Sequence, residues 1–303
     1  MQKRRRKIPK NWQPQTVRRR RILFSLALLL LLFVFFYRSN MRFVVTEATV
    51  QSRKIPAAFE GFRIVQISDL HSKLYGKDGE ALRAEIEAQK PDIVVITGDL
   101  VDASTKDTAP VIRFLATFSR EIPTYYVYGN HEMRRSLAEG EIRDRQMETA
   151  LERAGVHILD NEIIPIQRLG SKIYLAGLCE DYRYYQGSAK ELRLPVSHYL
   201  GRRPEDGYLI LLAHNPFYWA DYGEWGADLT LSGHVHGGGW RLPFVGGVFS
   251  PDAGLFPKYD KGLYTQKEQN LFVSAGLGNS GTPFRLFNPP ELCVIRLESL
   301  SIH

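Results

Sequence analysis

The 303-residue sequence predicts an α/β (α+β) fold: two β-sheets packed face to face with helices outside, preceded by one N-terminal membrane-spanning helix. Three observations predict it. Short apolar, β-branched runs alternate with segments of helical periodicity. The runs end repeatedly in Asp, Asn or His, as strands do when their carboxyl ends build a site. Ahead of them, Ile22 to Tyr37 form sixteen residues without a charge, closed on either side by Arg21 and Arg38.

Residues 1–21 read as a basic cytoplasmic tail. They hold ten of the 40 Lys and Arg and no acid, so the other 282 residues carry 30 basic against 33 acidic groups, a charge of −3. The net charge of +7 therefore belongs to the tail, and nucleic-acid binding by the folded body is not expected. Residues 22–37 read as a transmembrane anchor, somewhat short for a hydrocarbon core of about 30 Å unless Arg21 and Arg38 snorkel. The basic cluster before it puts the N-terminus in the cytoplasm and everything from about Asn40 outside, a single-pass cell-membrane protein. The stretch can also be read as a cleaved signal peptide, but Arg38 and Arg42 stand where a cleavage site needs small residues. Arg19-Arg20-Arg21 permits a twin-arginine export signal. Cys179 and Cys293 stand far apart and give no support for a disulfide.

Residues 38–60 read as a linker with a first strand, and 61–303 as one folded domain. Within it Arg63–Ser68, Asp92–Thr97, Thr124–Tyr128, Tyr208–Ala213, Asp228–Ser232 and Leu271–Ser274 have the composition of strands, most of them buried on both faces. Val111, Phe114, Leu115 and Phe118 recur at helical spacing, as do Met147, Ala150, Leu151 and Ala154. Strand and helix alternate in the first half, which argues a parallel sheet. The Gly- and Pro-rich second half, with a hairpin over Ile164–Leu178 and a strand-like run at Leu292–Leu297, reads as more strand-dominated. Loop-rich insertions at 180–206 and 238–266 are expected to line the pocket.

The strands run into Asp69-Leu70-His71, Gly98-Asp99, Gly129-Asn130-His131-Glu132, His214-Asn215 and Gly233-His234-Val235-His236. Alone, each piece has a bland reading: a capped turn for Asp-x-His, a helix N-cap for Asn130 with the helix starting near Glu132, a solvated pair for His-x-His. Together they supply carboxylate and imidazole donors from several elements, as a pair of divalent ions bridged by one carboxylate requires. Glycines before Asp99, Asn130 and His234 allow sharp turns and close backbone approach. Five of the eight histidines fall in these pieces; His157, His198 and His303 are left as structural or exposed.

This ordered set, Asp-x-His, Gly-Asp, Gly-Asn-His-Glu, His and Gly-His-x-His, resembles the calcineurin-like metallophosphoesterase family, over about Phe62 to Leu297. Gly237-Gly238, Gly276-Leu-Gly278, Pro283-Phe-Arg285 and Asn288-Pro-Pro-Glu291 are similar to its bacterial membrane-associated or exported phosphodiesterase-like branch, from which Val235 and Gly239 depart. The resemblance implies a four-layer sandwich, two mixed sheets flanked by helices, as the catalytic domain. It also implies two divalent metal ions, which Mn, Fe or Zn would all satisfy. Asp69, His71 and His236 would hold the first ion, Asn130, His214 and His234 the second, and Asp99 would bridge them. His131 would stabilise phosphoryl oxygens and protonate the leaving oxygen, a role its unperturbed pKa near 6.5 suits. A hydroxide bridging the ions would attack phosphorus in line. Arg285 is a candidate substrate-phosphate contact or a structural salt bridge, Glu132 a helix-start or supporting residue, and Asp102 structural.

The function expected is a membrane-anchored, dinuclear-metal phosphoesterase acting on phosphodiester or pyrophosphate bonds of a substrate that is lipid-linked or envelope-derived. Two alternatives stand beside it. One is a non-catalytic metal-binding adaptor on the same fold. The other is a nucleotide-sugar lipid pyrophosphatase, against which the outward orientation speaks.

Overall fold

The computed structural model describes residues 15–138, 140, 143–185, 193–250, 254–279 and 285–300. Residues 1–14 of the basic tail, Pro283, His303 and the centre of the insertion read at 180–206 lie outside the described residues. Helix α1 (Gln15–Met41) leads into strand β1 (Val44–Ser52). The span expected at 22–37 is therefore helical and part of a longer helix, whose described apolar side chains from Ile22 to Phe35 are all exposed. Among the described residues no helix is long and apolar enough to cross a membrane. Arg18 to Arg21 occupy one end of that helix, and the sixteen uncharged residues beyond them rise about 24 Å at about 1.5 Å each, short of a core about 30 Å thick.

The body begins as a run of β/α units: β2 (Arg63–Ile67), α2 (Glu80–Ala88), β3 (Ile93–Thr97), α3 (Ala109–Ala116), β4 (Thr124–Val127), α4 (Asn130–Ala138), α5 (Arg145–Ala154) and β5 (Val156–Ile158). A hairpin of β6 (Glu162–Arg168) and β7 (Ser171–Leu178) follows, then α6 (Val196–Leu200), β8 (Leu209–Ala213), α7 (Trp219–Trp225) and β9 (Leu229–Ser232). Two small hairpins come next: β10 (Arg241–Leu242) with β11 (Gly246–Gly247), and β12 (Phe249–Ser250) with β13 (Gly254–Leu255). Strands β14 (Gly262–Gln266), β15 (Gln269–Val273) and β16 (Glu291–Ser299) complete the chain.

The first sheet has the order β1-β16-β2-β3-β4-β5 and the second β14-β15-β9-β8-β7-β6. Strands β2 to β5 are parallel, as the alternation in the first half predicts. The second half is strand-dominated, as read, with strands β6 to β16 against the short helices α6 and α7; β7, β8, β9 and β15 are parallel too, and in the second sheet only the edges β6 and β14 run antiparallel. Its helices, α6 and α7, are too short to show a helical period in sequence.

The strand pleat divides the core into layers. In β8, Leu209, Leu211 and Ala213 face Val196 and Leu200 of α6 and Tyr222 of α7, while Ile210 and Leu212 face the other sheet. On the far side Leu82 and Ile86, Val111, Phe114 and Leu115, and Met147 and Leu151 are the buried stripes of α2, α3 and α5. Burial of such a side chain contributes about 1.5–3 kcal/mol, which offsets the modest propensity of helices this short. Gln66 of β2 crosses between the sheets, donating to Thr97 at 2.8 Å and to the Ser232 carbonyl at 2.9 Å. That pins β2, β3 and β9 together just before all three end.

Candidate metal centre

Five strand ends meet at one place. Asp69 and His71 follow β2, Asp99 follows β3, Asn130 opens α4 after β4, His214 follows β8, and His234 and His236 follow β9. Apolar strands locked in two sheets fix where each loop starts, and the loops turn sharply at once. Asp69, His71, Asp99, His234 and His236 have φ values of 47°, 48°, 51°, 73° and 51°. Such a backbone costs roughly 1–3 kcal/mol per non-glycine residue, and strain of this kind clusters where a site demands it. Backbone bonds hold it: Asp69 donates to Gly98 at 3.1 Å and His71 to Asp99 at 3.0 Å, while the His234 N–H donates to the Asp69 carboxylate at 3.0 Å.

Two glycines leave the space. A Cβ on Gly129 would come within 2.1 Å of Asp99 Oδ1, and one on Gly233 within 1.9 Å of Ser68 Oγ and 2.3 Å of Asp69 Oδ2. Asn130 is already inside α4 rather than capping a helix that starts near Glu132. Its amide oxygen instead faces His214 Nε2 at 3.1 Å and His234 Nδ1 at 3.0 Å.

Among the described residues the donor atoms fall into three groups, of which one brings together His71, Asp102 and His131 and the other two share Asp99. Of those two, Asp69, His71, Asp99 and His236 make up the first, and Asp99, His214 and His234 the second. Asp99 Oδ2 lies 3.7 Å from His71 Nε2 and 3.3 Å from His214 Nε2. In the first group His71 Nε2 is 3.1 Å from His236 Nε2, which is 3.5 Å from Asp69 Oδ1. The residues of the two groups that share Asp99 are buried except His236, which like Asn130 is partly so.

The lone pairs decide what such a cluster fits. His214 Nδ1 donates to the Thr97 carbonyl at 2.7 Å, so in the neutral ring Nε2 presents a lone pair. That lone pair faces two oxygens that are themselves acceptors, Asn130 Oδ1 and Asp99 Oδ2. His71 repeats the pattern: Nδ1 is 2.9 Å from Asp102 Oδ1, leaving Nε2 toward Asp99 and His236. Acceptors converge in this way around a cation. Burial works against charging His214, yet the carboxylate of Asp99 outweighs it and lifts its pKa to about 10, so the cluster calls for positive charge. Burial also resists ionisation of Asp99, but His214, His131 and His71 hold its carboxyl well below the usual range. His236 is kept neutral by burial and by the neighbouring His71 and Arg285. The mixed nitrogen and oxygen set suits two divalent ions of the Mn, Fe or Zn kind.

Around the cluster stand residues that sequence reasoning underrated. Asp102, read as structural, lies 2.9 Å from His71 Nδ1 and 3.4 Å from His131 Nδ1. Burial raises its pKa, but those two imidazoles hold it well below the carboxylate range. Burial disfavours the charged form of His131, yet the hydrogen bond with Asp102 and the charge of Asp99 raise its pKa above the ordinary value. His131 Nε2 lies 4.0 Å from Asp99 Oδ2, beside the two groups that share Asp99. Glu132, read as a helix-start or supporting residue, is buried under the site. Its carboxylate accepts from the N–H groups of Asp99 and Val101 at 3.0 Å and of Gly129 at 2.9 Å, fixing two of the loops. The carboxylate three residues after Asp99, in Gly98-Asp99-x-x-Asp102, is the signal that points to Asp102; nothing local marks Glu132 as a three-way anchor.

Arg285 lies behind the cluster. It is 3% exposed; its guanidinium donates to Ala275 at 2.6 Å, to Gly278, and to Asn279 at 3.0 Å, and faces His236 Nδ1 at 3.3 Å. These bonds make it a positioning residue for His236. Of the insertion at 180–206, Tyr185 lies tilted against His214 and edge-on to His234, with ring centroids 5.9 and 5.2 Å apart. The insertion at 238–266 packs its hairpins directly after His236. His157 pairs with Glu162 at 2.7 Å on the surface and His198 is exposed, both away from the cluster.

Residues 62–238 match the family model of the calcineurin-like phosphoesterases. The chain is 31% identical to the metallophosphoesterase YkuE of Bacillus subtilis (strain 168) over 84% of its own length and 85% of that protein. It is 30% identical to metallophosphoesterase Cj0846 of Campylobacter jejuni, over 92% of its length and 70% of that protein. A protein of Danio rerio named as a transmembrane protein with metallophosphoesterase domain is 27% identical over 84% of the chain and 57% of that protein. The chain belongs to the calcineurin-like phosphoesterase family, hydrolases that depend on two divalent metal ions.

Proposed function

We propose that this phosphoesterase cleaves phosphodiester or pyrophosphate bonds, with Asp69, His71 and His236 holding one divalent ion, Asn130, His214 and His234 the other, and Asp99 both. The observation that carries the reading is the position of Asp99, whose Oδ2 stands between His71 and His214 at 3.7 and 3.3 Å. Bound there, two divalent ions supply Lewis-acid charge to the phosphoryl group and an activated water as nucleophile for in-line attack.

The protein's own residues do the rest. Asp102 and the Thr97 carbonyl fix the tautomers of His71 and His214, so that each turns a lone pair into the site. Glu132 holds the Asp99 and Asn130 loops in register. His131, whose pKa the hydrogen bond with Asp102 and the charge of Asp99 raise above the ordinary value, stabilises the phosphoryl oxygens and hands a proton to the leaving oxygen. Tyr185 walls the second group of donors and restricts water on that side.

The domain plan completes the reading: a cytoplasmic tail at 1–21, an anchor at 22–37, a linker at 38–60 and the catalytic domain at 61–303 outside the cell membrane. The exposed apolar side chains of α1 support attachment there, as does the name of the Danio rerio relative. A substrate carried by a lipid or drawn from the envelope follows from that location.

The test is hydrolysis of a chromogenic phosphodiester and the matching monoester by the full chain, metal-stripped and then resupplied with Mn²⁺. Metal-dependent turnover of the diester is expected, falling about 100-fold or more in His131→Ala with both ions retained. Two bound ions without turnover of either compound would overturn the reading in favour of the adaptor. Release of the chain from membranes by detergent, and not by high salt, is the result expected for the anchor.

A further inference from the structure

The segment after His236 carries an exposed apolar surface that the hydrolytic chemistry does not use. Leu242, Val245, Phe249, Leu255 and Phe256 are 44–68% exposed and Phe244 is wholly so. Phe249 and Leu255 are directly paired across β12 and β13 and share one face. Phe244 stands at the tip of the β10–β11 hairpin with φ of 65° and its ring exposed. Single exposed apolar residues are ordinary; six large ones within residues 242–256 mark an interaction surface.

The surface is anchored to the metal centre. Arg241 donates to the Gly237 carbonyl at 3.1 Å, one residue past His236, and the Val248 N–H donates to Trp240 at 2.8 Å. A Cβ on Gly238 would fall 2.5 Å from Gly247, so hairpin and histidine loop touch backbone to backbone. The same corner is fixed to α1. Arg241 N–H donates to Leu286 at 2.9 Å; the next residue back, Arg285, donates its backbone N–H to Asn40 Oδ1 at 2.6 Å and accepts from Asn40 Nδ2 at 3.1 Å. Asn40 belongs to the last turn of α1, whose described apolar side chains are exposed. Two apolar surfaces thus leave the body at one corner, with the metal centre beside it. Arg42 and Lys258, both exposed, lie close to them along the chain and carry positive charge.

We propose that the β10–β11 and β12–β13 hairpins dock on a lipid bilayer surface and present the metal centre to phosphate esters carried by lipids. The proposal rests on the membrane-attached phosphoesterase reading above and names its substrate class. Aromatic and aliphatic side chains on a tip, with the exposed cations Arg42 and Lys258 close along the chain to these surfaces, match the headgroup boundary of an anionic membrane. The helix brings the face to the bilayer, and the hairpins set its tilt so that the donor cluster meets a headgroup.

The experiment uses the full chain reconstituted in vesicles of phosphatidylcholine and phosphatidylglycerol in equal parts. Cys179 and Cys293 are both buried, so Phe244→Cys accepts an environment-sensitive dye selectively. Leu169→Cys is the control: Leu169 is exposed at the β6–β7 turn, at the strand end opposite the site. Dye at 244 is expected to shift to the blue and resist aqueous iodide, while dye at 169 stays wet. Phe244→Asp with Phe256→Asp is expected to lower hydrolysis of a fluorogenic lipid phosphodiester in those vesicles at least tenfold, with the soluble chromogenic diester cleaved as before. Dye at 244 as accessible as dye at 169 overturns the proposal. So does shielding that needs no lipid and grows with protein concentration, which would make the occupant a second copy of the chain. Failure on the soluble diester overturns the phosphoesterase reading instead, and the dye still decides the docking face.

Discussion

Oδ1 of Asp102 lies 2.9 Å from Nδ1 of His71, and the same atom lies 3.4 Å from Nδ1 of His131. One carboxylate therefore orients two imidazoles together, one inside the donor cluster and one beside it. Asp102→Asn keeps the shape and removes the charge. Turnover of the diester is expected to fall about 10–100-fold, the usual effect of losing such a partner. The two-ion stoichiometry, read by elemental analysis, is expected to persist; loss of both ions would mean that Asp102 is itself a ligand.

Asp99 is common to two groups of donors, whereas His214 belongs to one. Asp99→Ala should therefore empty both positions and His214→Ala one. Metal content after gel filtration checks this: about none for the first variant and about one ion for the second. Equal loss in the two variants would put the bridging role elsewhere.

Glu132 accepts three buried backbone N–H groups from two loops. Glu132→Ala leaves all three without an acceptor, at about 1–3 kcal/mol each. Relief of the buried carboxylate, whose pKa is raised by burial and by Asp99, offsets part of this. A net loss of about 3 kcal/mol is expected, read as a lower urea midpoint at unchanged m. A midpoint within error of the wild type would show that the loops hold themselves.

The two thiols are free and fully buried, and burial pushes Cys179 up to about 12 and Cys293 well above its ordinary value. Neither forms thiolate at neutral pH, so an aromatic disulfide reagent should react with neither in the folded protein and with two per chain in guanidinium. Fast reaction of one thiol in the native state would show a local opening at β7 or β16.

Much of this was legible from the residues in order. The runs Ile93–Thr97 and Leu209–Ala213 are almost wholly apolar, and Arg63–Ile67 largely so, which only a covered strand tolerates, and the polar groups at their ends stand where such sheets bind ligands. Strand existence and donor identity are local properties, written in composition and alternation. Register, partnership and second-half topology are not. Helices α6 and α7 are shorter than two helical periods, and the parallel pairing of β1 with β16 joins residues some 250 positions apart.

Sequence alone therefore carried the α/β character, the polar residues at the strand ends and, in their order, the family resemblance, because each rests on residue type at short spacing. The division of those donors into two groups sharing Asp99 came only with the tertiary structure. So did the service of Asp102 to two histidines, the three N–H groups gathered by Glu132, and the burial of Arg285 behind His236. These are relations between loops from different strands, and their distances depend on how two sheets pack, which side-chain volume across the whole core decides.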